Sequence, residues 1–140
     1  MSFDMMVFEP SAAPHDRASF MNWYAKQAEW SEDHSYDDPQ VASPALQRWF
    51  AEMIQFFPPI NGPLSSPDAE GPEVTDHCIG QNVIYSAFSW SLADEAHAKM
   101  RELAIKHEVG FFHASDDPGE ILIPGIGPLP SAEKKWWKFW

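Results

Sequence analysis

The residues with the best spacing for metal binding are His113, Asp116 and Asp117, in the segment HASDD that follows a predicted strand. An imidazole and two carboxylates are suitable ligands for a divalent cation. Their spacing differs from that of an EF-hand calcium loop, and an acidic turn at the end of a strand is common. The pattern therefore predicts no metal site, and the two aspartates become candidates for contact with a partner.

Nucleophilic chemistry would have to use the neighbouring residues His77 and Cys78. Adjacent residues of a strand point to opposite faces, so this imidazole is badly placed to act as the base for this thiol. Cys78 is the only cysteine, which excludes an internal disulfide and a cysteine-based zinc cage. The glycines of 125–127 open no helix and precede no Lys-Ser or Lys-Thr pair, so no phosphate-binding loop is predicted. We therefore expect a protein that is not an enzyme and binds no cofactor.

The segment WSEDHSYDD, residues 30–38, interleaves aromatic rings with carboxylates. Such a surface can bind lysine and arginine through cation–π contacts and ion pairs. A solvated loop that its two rings pin to the domain is an equally good interpretation. The acidic stretch 68–76 could widen the same surface. The candidate partner-binding residues are therefore Trp30, Glu32, Asp33, Tyr36, Asp37, Asp38, Asp68, Glu70, Glu73, Asp116 and Asp117.

Net charge indicates the class of partner. The chain carries 21 acidic and nine basic side chains, a formal charge of −12, and residues 1–130 hold 20 of the acidic but only six of the basic ones. Nucleic acid is bound through lysine and arginine, so neither nucleic acid nor an anionic membrane is an expected partner. A negative field accelerates association with basic proteins, which are the expected partners.

The last seven residues, KKWWKFW, reverse this charge and are rich in aromatic rings. Such a segment can stack on single-stranded nucleic acid, lie at a membrane interface or fold onto an acidic body. Seven residues are too few for stable membrane anchoring, and the acidic body repels both anionic surfaces. We expect the segment to bind either the rest of the same chain or a second copy of it. Whether the protein forms a homodimer is therefore left open at this point.

Apolar periodicity, helix caps and turn residues predict an α+β fold. A chain of 140 residues is long enough for one hydrophobic core, so a single domain is expected. Helices are expected at about 11–29, 43–57 and 91–107, and strands at 5–8, 74–79, 82–90, 109–113 and 120–123. With the first two helices taken as one crossover, the order is βαββαβ with an extra N-terminal helix, which is typical of a ferredoxin-like antiparallel sheet with helices on one face. The predicted domain covers residues 1–123, and 124–140 form a Pro/Gly-rich and Lys/Trp-rich tail.

The location of the protein is predicted from two missing signals. No apolar run approaches the roughly 20 residues of a spanning helix, and the N-terminal residues lack the basic and apolar regions of a leader. We therefore expect a cytoplasmic protein.

Several segments resemble a known class of small acidic bacterial proteins. They are SFDMMVFEPSAAPHDRASFMNWY, WSEDHSYDDP, ALQRWFAEMIQFFPPINGP and VIYSAFSWSLADEAHAKMRELAIKHEVGFF. The resemblance covers about residues 3–123 and is to immunity proteins of polymorphic-toxin and type VI secretion loci. It implies a cytoplasmic antitoxin that occludes a cognate toxin with a basic cleft and performs no chemistry of its own.

Two alternatives stay open at this point. A ferredoxin-like domain could bind a small ligand, or act as an enzyme, in a pocket between sheet and helices lined by Tyr85, Trp90 and His113. An adaptor could instead recruit a partner through the WWKFW residues of the tail.

Overall fold

The computed structural model describes residues 2–66, 68, 70–116 and 118–130. They form an α+β fold with a six-stranded antiparallel sheet and three α-helices. The predictions for Asp117 and for residues 131–140 lie outside the described residues. Among the described helices, none combines the length and the apolar character needed to cross a membrane.

The elements lie close to their predicted positions. The helices are α1 (Arg17–Gln27), α2 (Pro44–Met53) and α3 (Ala93–Lys106). The strands are β1 (Phe3–Phe8), β2 (Asp76–Ile79), β3 (Val83–Phe88), β4 (Gly110–Phe112), β5 (Ile121–Ile123) and β6 (Gly127–Pro128). The short strand β6 pairs with β5, and Leu129 after it is buried, so the sheet continues past residue 123 into the segment predicted as tail.

The sheet has the strand order β2-β3-β1-β4-β5-β6, and every neighbouring pair is antiparallel. The strand β1 lies inside the sheet, where Phe3 pairs with Phe88 of β3 and Phe8 pairs with Val83. Four consecutive residues, Met5 to Phe8, are buried. The unbroken apolar run of β1 therefore reflects a strand that is covered on both faces.

One face of the sheet packs against α2 and α3. Met5 and Val7 of β1 point to this side and meet the apolar stripes of both helices. The stripes consist of Leu46, Trp49, Phe50, Met53, Ala96, Met100, Leu103 and Ala104, all of which except Ala104 the helical spacing predicts. The Ser43 side chain accepts a hydrogen bond from the Leu46 amide and caps α2, with Pro44 in the first turn.

The helix α1 covers the opposite face, so the prediction that all helices lie on one face is wrong. Phe20 of α1 is fully buried, with its ring 5.0 Å from that of Phe8 and 5.3 Å from that of Phe112. These strand residues form a second apolar surface with Met6, Val83, Ile121 and Ile123. Burial of this second surface requires its own helix, because apolar side chains on both faces of a sheet must be removed from water.

Candidate partner-binding surface

The loop of residues 28–43 is held to the domain by its aromatic rings. The Trp30 ring lies 5.2 Å from that of Tyr36 and 6.2 Å from that of Tyr85 on β3. The Tyr36 hydroxyl accepts a hydrogen bond from the Glu32 amide at 2.7 Å and donates one to the Glu32 carbonyl at 3.1 Å. These contacts close the acidic segment into a compact turn.

The same loop covers the outer edge of β2. The Ile79 amide donates to the Tyr36 carbonyl at 2.8 Å, and the Gln81 amide donates to the Glu32 carboxylate at 3.0 Å. The Ser43 amide donates in turn to the Gln81 carbonyl at 3.1 Å. An exposed edge strand would otherwise offer unpaired backbone groups to other chains. The loop is therefore built into the end of the sheet.

A histidine lies among the loop carboxylates. The His34 Nδ1 atom lies 2.6 Å from the Ser35 carbonyl oxygen, and its Nε2 atom contacts the Glu32 carboxylate. Both nitrogens thus face acceptors, which favours the protonated ring. The hydrogen bond to the Ser35 carbonyl and that to Glu32 raise the pKa of His34.

The loop carboxylates differ in exposure and in role. Glu32 is directed towards the β2–β3 turn, and Asp38 accepts from the Gln40 amide at 3.0 Å and caps a short 3₁₀ helix. Asp37 is partly buried, whereas Asp33 is exposed. Among the predicted carboxylates of the loop, Asp33 and Asp37 are therefore the ones with no role in these backbone contacts.

The connection between α2 and β2, which carries the second acidic segment, contacts the loop of residues 28–43 at Gly62. Gly62, with a φ of 98°, packs directly against the Asp37 carbonyl. The Thr75 amide donates to the Pro58 carbonyl at 2.8 Å, so the connection between α2 and β2 also follows the β2 edge. The side chains of Asp68, Glu70 and Glu73 are exposed on this connection.

Asp116, the described residue of the third predicted group, lies at the end of β1 opposite the loop of residues 28–43. The amide of Asp4, near the start of β1, donates to the Ser115 hydroxyl at 2.7 Å, next to Asp116. The β2–β3 turn contacts the other end of β1, where the Glu9 amide donates to the Asn82 carbonyl at 2.8 Å. A six-residue strand spans roughly 17–20 Å. The structure therefore separates Asp116 from the loop of residues 28–43.

The predicted ligand pocket does not bring its three residues together. The Phe3 ring lies 5.0 Å from that of Trp90 and 5.3 Å from that of His113, on the α2/α3 face. Tyr85 lies on the α1 face, where its hydroxyl donates to the Asp4 carboxylate at 2.6 Å. The alternation of side chains along a strand separates these residues, so this pocket prediction is wrong.

Two histidine rings, His97 and His113, lie 4.8 Å apart beside Phe111. Burial lowers the pKa of His113, and the neighbouring His97 lowers it further. Asp116 is 3.9 Å from the His113 Nδ1 atom. No cluster of three or more metal-ligating side chains is found in the part of the chain that the structure describes.

His77 and Cys78 point to opposite faces, as the strand pattern predicts. His77 lies in the α2/α3 core, where its Nε2 atom donates to the Phe57 carbonyl at 3.0 Å, and burial lowers its pKa to about 4. Cys78 is partly buried, and burial raises the pKa of its thiol to about 11. The thiol is therefore protonated at neutral pH and is a poor nucleophile.

A cavity of about 310 Å³ opens between α3 and the β5–β6 hairpin. None of the predicted site residues lines it. Its lining comes from residues 101–109 and 122–127, which are distant in sequence, so no local motif marks it. The one sequence feature that points to this cavity is Ile105, an apolar residue of α3 that lies outside the buried stripe of that helix. In the structure Ile105 is 55% exposed.

Comparison with known proteins adds no relative. No family model matches the chain, and neither a curated protein nor a solved structure matches it.

Proposed function

We propose that the protein is a cytoplasmic immunity protein, an antitoxin that binds a secreted bacterial toxin and occludes its basic cleft. The observation that carries this proposal is the anchored loop of residues 28–43, which presents Asp33 and Asp37 from a fixed backbone on a chain of charge −12. The resemblance of the sequence segments to immunity proteins supports the same role.

The anchoring of the loop supports tight binding. Ordering a loop during association costs free energy, and a loop already held by Glu32 and Tyr36 loses less freedom on binding. Carboxylates that face a basic cleft also raise the association rate by long-range attraction. A stoichiometric inhibitor needs these two properties and makes or breaks no bond.

The proposal extends to the fold. We infer that β1 to β4, with α2 and α3, form a ferredoxin-like unit, and that β5, β6 and α1 are additions to it. The strand order β2-β3-β1-β4 and the antiparallel pairing support this assignment. Of these additions, β5 and β6 widen the sheet on the side away from the acidic loop, and α1 covers its second face.

The test is co-expression with the protein encoded beside the gene of this chain, in host cells that the neighbouring protein kills when expressed alone. We expect survival with the wild-type chain and death with the double variant Asp33→Lys/Asp37→Lys. The matched control is Glu95→Lys/Glu102→Lys, which makes the same charge change at two exposed positions of α3.

Survival with the control and death with the loop variant would support the proposal, provided both variants accumulate as folded protein. Death with the wild-type chain, or release of a reaction product by the purified chain from any toxin substrate, would overturn it.

A further inference from the structure

The cavity beside α3 lies at the edge of the sheet opposite the acidic loop. The helices α2 and α3 cover the strands from β2 to β4, and the β5–β6 hairpin extends beyond them. The space between α3 and the hairpin is the cavity of about 310 Å³. It is therefore separate from the surface proposed to bind a toxin.

The walls of the cavity are apolar. They are formed by Ile105 and Val109 from the α3 side and by Leu122, Ile123 and Pro124 from the hairpin. Ile105 is 55% exposed, and Ile126 in the adjoining turn is 53% exposed. A volume near 300 Å³ is at the small end of ligand sites, and apolar walls with few charges are typical of such sites.

Two charged side chains, Arg101 and Glu108, line the cavity, and they differ in whether they form an ion pair within the described residues. Arg101 is paired with Glu120 by two hydrogen bonds, of 2.8 and 2.9 Å. Its charge is therefore balanced within the protein. The Glu108 carboxylate makes no hydrogen bond or ion pair within the described residues. The cavity thus carries one uncompensated negative charge.

The position of Glu108 adds to this negative potential. Glu108 follows α3 in a left-handed conformation, with a φ of 57°, close to the C-terminal end of the helix at Lys106. The C-terminal end of a helix has a negative partial charge and favours cations. The acidic composition of the whole chain acts in the same direction.

We propose that this cavity binds a ring-sized apolar group that carries a positive charge next to it. The ring lies against Ile105, Val109 and Leu122, and the cation lies at Glu108. A free arylalkylamine has this chemistry, and so does a tryptophan flanked by lysine in a peptide segment. The sequence KKWWKFW at residues 134–140 of this chain is one such segment.

The test is a titration of the full chain with tryptamine, observed by NMR at the methyl groups of Ile105, Val109 and Leu122. Indole-3-propionate is the matched anionic probe, because it has the same ring with a negative charge. The titration is repeated on the double variant Trp136→Ala/Trp137→Ala, which removes two rings of the chain's own segment.

Selective shifts of these methyl groups with tryptamine in the wild-type chain would support the site and assign it to an external ligand. Binding that occurs only in the Trp136→Ala/Trp137→Ala variant would support the site and assign it to the chain's own segment. Equal binding of indole-3-propionate, or no shift with either protein at millimolar tryptamine, would overturn the proposal.

Variants separate the two parts of the recognition. Glu108→Gln should weaken tryptamine binding about two- to fivefold, as expected for one exposed ion pair, whereas Glu102→Gln, at an exposed position of α3 outside the cavity lining, should leave it unchanged. Ile105→Asn, which removes the apolar side chain at an exposed position without adding a charge, should reduce binding at least tenfold without unfolding the chain. An unchanged affinity in both Glu108→Gln and Ile105→Asn would also overturn the proposal.

Discussion

The carbonyl oxygen of Asp37 occupies the space that a Cβ atom on Gly62 would need. This contact joins the acidic loop of residues 28–43 to the proline-rich connection between α2 and β2. Gly62 has a φ of 98°, a conformation that side chains other than glycine rarely adopt. The junction between the loop and this connection therefore depends on this glycine.

Replacement of that glycine should loosen the acidic loop. The Gly62→Ala variant is expected to lose about 3 kcal/mol of unfolding free energy, because it combines a left-handed backbone with a backbone clash. Urea unfolding measures the loss, and hydrogen exchange should increase at residues 36–38. Gly125→Ala is the control, since its φ of 81° is also left-handed but no atom lies within 4 Å of the added Cβ. Equal losses in the two variants would mean that the contact with Asp37 is unimportant.

The Tyr36 hydroxyl should contribute to the rigidity of the same loop. The Tyr36→Phe variant removes the acceptor of the Glu32 amide, a loss of about 1 kcal/mol for one hydrogen bond. The measurement is the exchange rate of the Glu32 amide proton at constant pH, which should increase about fivefold with that loss of free energy. A wild-type exchange rate in this variant would show that the Tyr36 hydroxyl does not hold the turn.

Much of the fold can be predicted because its signals are local. The unbroken apolar run of β1 predicts a strand buried on both faces, and Ser43, Pro44 and the stripe from Leu46 onward predict α2. The face covered by α1 could not be predicted, because the spacing of Phe20 and Tyr24 gives an apolar side of the helix but no partner. The strand β6 has no sequence signal, because it is two residues long and includes Pro128.

The candidate site residues also divide into features that the sequence can predict and features that depend on the fold. Composition is sufficient to select the segment 30–38 and to suggest that its rings pin it. Composition could not show that Glu32 and Asp38 are occupied by backbone contacts, because their partners, Gln81 and Gln40, are set by the path of the loop. Nor could it place Asp116 at the opposite end of β1, which depends on the register of the sheet.

Charge reversal in the loop should slow association with the proposed toxin. The Asp33→Lys/Asp37→Lys variant should lower the association rate constant about tenfold at low salt, because long-range attraction to a basic cleft is lost. The dependence of the rate on ionic strength should also become flatter. Stopped-flow mixing with the toxin measures both, with Glu95→Lys/Glu102→Lys as the control. Identical rates for the two variants would exclude Asp33 and Asp37 from the interface.

Burial of His77 should make stability fall in acid. The Nε2 atom donates to the Phe57 carbonyl, which can only accept, and the Nδ1 atom lies 2.7 Å from the Ser86 hydroxyl and accepts from it. The native structure therefore holds the neutral ring, and burial lowers its pKa from 6.5 to about 4. Between these two values the unfolded chain binds a proton that the folded chain does not.

The stabilisation from His77 is thus fully present above pH 6.5 and is lost as the pH falls towards 4. The loss is on the order of 3 kcal/mol of unfolding free energy. Urea unfolding at a series of pH values, for the wild type and for His77→Gln, isolates this contribution, since every other side chain is the same in both proteins. The wild type should be the more stable protein at pH 7, and the difference should shrink by pH 4.5. A difference that stays constant over this range would show that His77 does not titrate on unfolding in this way.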